Sequence, residues 1–183
     1  KKIPIGTKSF SRLIEGNYYF VDKTLMIQEF LERGTDVTLI TRPRRFGKTI
    51  NMSMLSEFFD ITKDSKEIFK DTLIMKTPYA SEINQYPTIF ISFADAKRDK
   101  MTVITTIKTQ IQNQWDKYDY VFENLKGFKK LRYENLCNNL EDYNTLDGIN
   151  DAISFLMEKL QSYYHKEVMV FIDEYDTPFV EAH

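Results

Sequence analysis

Cysteine and histidine are scarce in this sequence, which has one cysteine, Cys137, and two histidines, His165 and His183. A disulfide needs two cysteines, and a structural zinc site usually takes about four Cys or His ligands. The scarcity therefore excludes a disulfide framework, a zinc cluster and a Cys/His-ligated iron site. It also disfavours Ser-His-Asp and Cys-His catalysis, whereas chemistry based on carboxylates or lysine stays open.

Long apolar runs and an excess of one charge are also missing. No run approaches the roughly 20 apolar residues of a membrane helix, and the first six residues do not lead into a signal-peptide core. Lys and Arg number 25 against 27 Asp and Glu, a formal net charge of -2. We therefore expect a cytoplasmic protein without a membrane partner, in which any site for an anionic ligand is local.

The residues that are present predict one α/β domain. The chain has 183 residues, of which 42% are hydrophobic, enough to bury a core without cross-links. Apolar segments predict strands at residues 37–41, 88–93 and 168–172. Helical spacing predicts helices at residues 25–32, 48–59, 103–118 and 149–163. Alternation of the two favours a mostly parallel sheet covered on both faces.

Two stretches lack a clear period. Residues 60–87 are polar and aperiodic apart from a short helix at 66–69, which predicts a surface excursion. Residues 123–143 are charged, and their pattern assigns them to no element. Within them Lys126, Lys129, Lys130 and Arg132 form a basic run, for which we expect a solvated surface, with contact to nucleic acid as the alternative.

A turn rich in arginine separates the first predicted strand from the helix that begins at Lys48. Residues 42–49 read Arg-Pro-Arg-Arg-Phe-Gly-Lys-Thr. A strand-turn-helix directs backbone N–H groups and the positive end of a helix dipole at one point, which suits a polyphosphate. Gly47 lets the backbone approach the phosphates, Lys48 reaches the β and γ oxygens, and the Thr49 hydroxyl can bind Mg²⁺. The common phosphate-loop pattern has glycine where this chain has Arg42.

The last predicted strand ends in two carboxylates, Asp173 and Glu174. Ligands of open α/β sheets gather at the carboxyl ends of the strands. We expect Asp173 to hold Mg²⁺ through a water and Glu174 to act as the general base for the attacking water. The alternative is an acidic strand end that only starts a turn.

These motifs together resemble the bacterial predicted AAA-ATPase-like family. The resemblance rests on residues 42–49, on Asp-Glu-Tyr-Asp-Thr-Pro at 173–178 and on Tyr-Phe-Val-Asp-Lys-Thr at 19–24. It covers nearly the whole chain, and an arginine at position 42 is what this family's motif has. It implies a P-loop NTPase three-layer sandwich and membership of the ATPases with a catalytic glutamate.

The resemblance also implies a role for each motif residue. Gly47, Lys48 and Thr49 would contact phosphates, Thr49 and Asp173 would bind magnesium, and Glu174 would activate water, with Lys48 as the other catalytic residue. The remaining candidates for nucleotide contact are Arg44, Arg45 and Phe46. One of the two arginines would contact a phosphate or a neighbouring acidic segment, or else both would be solvated or structurally paired at the loop mouth. The sequence favours neither interpretation. Asp22 could line the adenine or ribose, although its place before a predicted helix favours a cap.

The strand count bears on domain organisation. In the class that the resemblance implies, a further strand separates the phosphate-loop strand from the Asp-Glu strand, and only three core strands are legible. We therefore expect residues 1–33 to be an N-terminal extension and 34–183 an incomplete P-loop core that stops after the Walker B strand, or else a different strand order. A C-terminal domain or oligomer partner would then supply an arginine finger. Longer family members commonly carry a C-terminal restriction-endonuclease-like domain.

The functional hypothesis is an Mg²⁺-dependent ATPase that acts on the β–γ phosphoanhydride of ATP, its Walker A motif at 42–49 and its Walker B motif at 168–174. Hydrolysis would drive a conformational change in a C-terminal domain. The alternative is a nucleotide-binding switch or scaffold with little turnover, which could control a nuclease. The choice of adenine over guanine rests on the resemblance.

Overall fold

The fold is described from a computed structural model that covers residues 9–17, 21–33, 48–92, 100–139 and 146–173. The side chains of 48, 49, 100–104, 138, 139, 146 and 147 are not described. The chain divides into two compact units. The first contains the described residues of Lys1–Phe90 and Glu167–Glu174, and the second those of Ile91–Lys166.

Seven α-helices and two strands form the described part of the chain. The helices are α1 (Phe10–Glu15), α2 (Leu25–Glu32), α3 (Lys48–Phe59), α4 (Lys66–Phe69), α5 (Lys100–Lys117), α6 (Phe128–Asn139) and α7 (Leu146–Tyr164). The strands are β1 (Thr88–Ser92) and β2 (Met169–Asp173). Three 3₁₀ helices lie at Leu73–Lys76, Pro78–Glu82 and Asp119–Phe122.

The two strands are hydrogen-bonded neighbours in a small parallel sheet. In β2 three consecutive residues, Met169, Val170 and Phe171, are buried, as expected for a strand covered on both faces. The α/β class and the two later strands are therefore confirmed. The strand predicted at 37–41 lies outside the described residues.

The core of the first unit is built around α3. Helix α3 packs against α1 and β2. Four of its apolar side chains, Met54, Leu55, Phe58 and Phe59, are no more than 1% exposed. The Phe59 ring lies 6.2 Å from the ring of Phe171 on β2 and 5.4 Å from that of Phe30 on α2. Fully burying aromatic side chains of this size contributes about 1.5–3 kcal/mol each, so this packing is what orders α3 against the sheet.

Residues 60–87 correct the prediction of a surface excursion. Phe69 and Ile74 are fully buried in the first core, and Ile83 is 5% exposed. The short helix at 66–69 is confirmed as α4, but the two 3₁₀ helices after it were not predicted. Because 3₁₀ turns place apolar residues three apart over only one turn, they leave too short a pattern to detect in the sequence.

The second unit has its own core between α5 and α7. The Trp115 ring lies 5.4 Å from that of Phe122 and 6.0 Å from that of Phe155. Trp115 is 6% exposed and belongs to this core. Helix α6 occupies part of the stretch that the sequence left unassigned. It was missed because it buries little, as shown by Phe128 and Leu131, which are 90% and 52% exposed.

Among the described residues, no helix combines the length and the apolar character that crossing a bilayer requires.

Candidate functional site

Helix α3 carries the predicted lysine and threonine of the phosphate loop in its first turn. It begins at Lys48 and continues through Thr49, so the predicted helix bounds are confirmed. The first N–H groups of a helix have no partner inside it and carry the positive end of its dipole. The backbone of this turn can therefore bind an anion.

Several predicted site residues lie outside the described part of the chain. They are Arg42, Arg44, Arg45, Phe46, Gly47 and Glu174. For Lys48 and Thr49 only the backbone is described, and Asp173 is described in full.

Asp173 ends β2, as the position of the acidic pair predicted. Its side chain is buried, with 3% exposure, and it has interaction partners. Because β2 packs against α3, the strand that carries Asp173 and the helix that carries Lys48 and Thr49 belong to the same packed unit.

Asn84 anchors the C-terminal end of α3. Its side-chain amide donates to the Asp60 carbonyl at 2.9 Å, and its side-chain oxygen accepts from the Ser65 N–H at 2.8 Å. Its backbone N–H donates to the Phe58 carbonyl. These bonds satisfy carbonyls that the end of a helix leaves without a partner. Asn84 has a positive φ of 56°, which asparagine tolerates better than most residues.

Glu57 joins the same junction from inside α3. It is 7% exposed, pairs with Lys63 at 2.6 Å and accepts a hydrogen bond from the Ser65 hydroxyl at 3.1 Å. Sequence reasoning missed both Glu57 and Asn84. A glutamate inside an apolar helical face was the available signal, since a buried carboxylate requires partners.

A parallel bridge continues from this junction towards the sheet. Asp60 and Tyr86 form an isolated bridge, in which Ile61 donates to the Tyr86 carbonyl at 2.9 Å. Burial, together with the hydrogen bond that Tyr86 donates to Glu82, raises the pKa of the Tyr86 phenol to about 12. The phenol is therefore a constant donor near neutral pH. The bond from Ile61 to Tyr86 joins the segment after α3 to the segment before β1.

Asp22 stabilises the start of α2 and also holds a distant segment. One carboxylate oxygen accepts from the Thr24 N–H at 2.9 Å and from the Thr24 hydroxyl at 2.7 Å. The other accepts from the Leu73 N–H at 2.9 Å, while the Thr24 hydroxyl oxygen accepts from the Ile74 N–H at 3.0 Å. The N-cap residue of α2 is Thr24, which makes no side-chain capping bond. Asp22 thus fixes the approach to α2 and the first 3₁₀ helix together.

The remaining sequence candidates lie at the surface of the described chain. Lys126, Lys129, Lys130 and Arg132 are exposed, as is His165. Cys137 is also exposed, and desolvation is the main cause that raises the pKa of its thiol. A raised pKa lowers the thiolate fraction at neutral pH, which argues against an activated nucleophile.

The donor groups fit magnesium held largely by a nucleotide. Mg²⁺ usually binds one or two carboxylates together with phosphate oxygens and waters, instead of an all-protein cage. Asp173 supplies one buried carboxylate, and Thr49 is a hydroxyl-bearing residue in the first turn of α3. Within the described residues, no group of three or more His, Cys, Asp or Glu could hold a metal. One buried carboxylate and one hydroxyl-bearing residue are compatible with Mg²⁺ whose other ligands come from a nucleotide.

The fold is α/β, with two parallel strands separated in the chain by helices. The start of α3 and the buried carboxylate of Asp173 belong to one unit. The family described as "Predicted AAA-ATPase" matches residues 4–183. The chain belongs to this family, which confirms the resemblance drawn from its motifs.

Comparison with individual proteins adds a short match. An "Uncharacterized protein in vnfD 5'region" from Azotobacter chroococcum mcd 1 is 47% identical over 60 residues. The match covers 32% of this chain and 11% of that protein. No solved structure matches the chain.

Proposed function

We propose that this chain binds ATP with Mg²⁺ and hydrolyses the β–γ phosphoanhydride, as a P-loop ATPase with a three-layer sandwich fold. The observation that carries the proposal is the match of the "Predicted AAA-ATPase" family to residues 4–183. It is supported by a helix that begins at Lys48 and packs against the strand that ends at Asp173.

The nucleotide phosphates bind at the start of α3. Gly47 and the first backbone N–H groups of α3 contact phosphate oxygens, and Lys48 neutralises the β and γ groups. Arg44, Arg45 and Phe46 complete the loop around the nucleotide. Guanidinium groups suit this position because their planar donors match phosphate oxygens.

The reaction is an in-line attack of water on the γ-phosphorus. Glu174 accepts a proton from the attacking water, the water oxygen bonds to phosphorus, and the bond to the bridging oxygen breaks so that ADP leaves. Thr49 and Asp173 would hold Mg²⁺. When bound, the metal neutralises charge on the β and γ oxygens. An arginine from a C-terminal domain or a partner subunit stabilises the transition state. Hydrolysis drives a conformational change in the C-terminal domain.

The test compares Lys48→Ala and Glu174→Gln with the wild type in ATP-binding and phosphate-release assays on the full-length protein. Lys66→Ala is the matched control, since Lys66 is an exposed lysine of the same unit. We expect Lys48→Ala to weaken ATP binding at least tenfold, or about 1.4 kcal/mol. Glu174→Gln should retain binding and slow phosphate release by about 10²-fold or more.

Equal ATP affinity in Lys48→Ala and Lys66→Ala would exclude the proposed site. The wild type could also bind ATP tightly but release phosphate no faster than Glu174→Gln. That result would support the switch or scaffold function.

A further inference from the structure

A pocket in the second unit is lined by cations and by neutral hydrogen-bond donors. Its volume is about 360 Å³, and its polar lining consists of Asn124, Lys126, Lys129, Lys159, Ser162 and Tyr163. We call it the lysine pocket. No carboxylate is among its described lining residues, so three positive charges face one cavity and favour an anionic group.

Lys159 is the unusual member of the lysine pocket because its side chain is only 4% exposed. Its Nζ lies 3.6 Å from a Glu158 oxygen and 5.3 Å from the centre of the Phe155 ring. The Glu158 contact is a salt bridge longer than a hydrogen bond, and the Glu158 side chain is 53% exposed. Burying a lysine costs free energy unless its charge is compensated. An anion in the pocket would give this buried charge a further partner beside Glu158 and the Phe155 ring.

Exposed aromatic rings flank the cations. Phe128 is 90% exposed and starts α6 between Lys126 and Lys129, after a turn at Gly127, which has a φ of 63°. Tyr163 lines the pocket and is 52% exposed. Lysines beside solvent-exposed aromatic rings are the combination that proteins use to bind single-stranded nucleic acid, with phosphates on the cations and bases stacked on the rings.

We propose that the lysine pocket binds a backbone phosphate of single-stranded nucleic acid and that Phe128 stacks on an adjacent base. Lys126, Lys129 and Lys159 hold the phosphate, and Asn124 and Ser162 donate hydrogen bonds at its rim. This site lies in the second unit, whereas α3 and β2 lie in the first. The proposal therefore rests on residues other than those of the proposed ATP site.

The test measures binding of a fluorescein-labelled oligothymidylate to the full-length protein by anisotropy at several KCl concentrations. The pocket variant is Lys126→Gln with Lys129→Gln, two exposed lysines. The matched control is Lys66→Gln with Lys76→Gln, which removes the same charge from exposed lysines of the first unit. We expect the pocket variant to bind at least tenfold more weakly than the control. Its slope of log affinity against log salt should be shallower by about 0.7, since the pocket holds one phosphate and each phosphate contact on a single strand contributes about 0.7.

Phe128→Ala separates stacking from charge. We expect it to weaken oligothymidylate binding by about fivefold or more with an unchanged salt slope, and Phe128→Trp to restore affinity.

Absence of binding at low salt, or equal affinity in the pocket and control variants, would overturn the proposal. A competition assay separates nucleic acid from a free anion. If inorganic phosphate displaces the probe as well as unlabelled oligothymidylate does at equal phosphate concentration, the pocket binds a free anion and the proposal is overturned. ATP binding measured on the same variants should be unchanged, so failure here is distinct from failure of the ATPase proposal.

Discussion

At the residue scale, one asparagine makes hydrogen bonds to several backbone groups near the end of α3. Asn84 bonds to the backbone of Phe58, Asp60 and Ser65. It therefore couples the end of α3 to the start of α4, two elements whose carbonyl and N–H groups would otherwise be buried without partners. Its backbone is in the left-handed region, where the Cβ atom of a side chain causes steric strain. Glycine has no Cβ atom and avoids this strain.

The variants Asn84→Ala and Asn84→Gly divide these two contributions. Both lose the side-chain hydrogen bonds, and alanine also suffers steric strain at positive φ. We expect Asn84→Ala to lower the free energy of unfolding by about 2–3 kcal/mol, and Asn84→Gly to cost roughly 1 kcal/mol less. Urea denaturation measures both. A glycine variant less stable than the alanine variant would contradict the assigned role of the backbone.

At the element scale, packing of α3 against β2 holds the candidate site together. The side chains at this interface include Phe59 and Phe171, both fully buried, whose rings stack with an interplanar angle of 20°. Phe171 is two residues from Asp173 along the strand. The packing that stabilises the first core therefore also determines where the strand-end carboxylate lies.

Truncation of Phe171 to alanine tests this interface. We expect a loss of about 3–5 kcal/mol in the free energy of unfolding, from lost burial and from the cavity left behind. Val21→Ala is the control, because Val21 is 62% exposed and surface changes usually stay within about 0.5 kcal/mol. Urea denaturation should separate the two variants clearly, and similar midpoints would show that Phe171 is not part of a tightly packed core.

The predicted elements also show what pattern analysis can detect. The bounds of α2, α3 and α4 were predicted to the residue. In α2 and α3 the signal was apolar residues at helical spacing. Helix α6 was missed because few of its side chains are buried, Leu136 being the main exception. The burial of Ile74 and Ile83 was missed because they belong to short 3₁₀ turns whose burial depends on contacts with α2 and α3, far away in sequence.

At the scale of the whole molecule, the chain has two compact units with separate candidate sites. The start of α3, where we propose that the nucleotide phosphates bind, and the buried Asp173 belong to the first unit, and the lysine pocket belongs to the second. We therefore expect each of the two ligands to slow amide hydrogen exchange in a different set of peptides.

Hydrogen exchange with mass spectrometry tests this separation. We expect saturating MgATP to slow amide exchange in peptides of α3 and to leave those of α6 unchanged, because a bound ligand raises the free energy of opening around its own site. Oligothymidylate should do the reverse. ATP-dependent protection of α6 without protection of α3 would contradict the assignment of the nucleotide to the first unit.

The sequence by itself determined the α/β class, the positions of most helices and both described strands, and the family. These depend on local periodicity and on contiguous motifs such as Gly-Lys-Thr and Asp-Glu, which do not require knowledge of distant contacts. Only the tertiary structure decided that residues 60–87 belong to the core, that Asn84 and Glu57 hold the end of α3, and that Lys159 is a buried cation in a pocket. The physical reason is that burial and hydrogen-bond partners are set by residues far apart in the chain, as when Asp22 accepts from the N–H of Leu73.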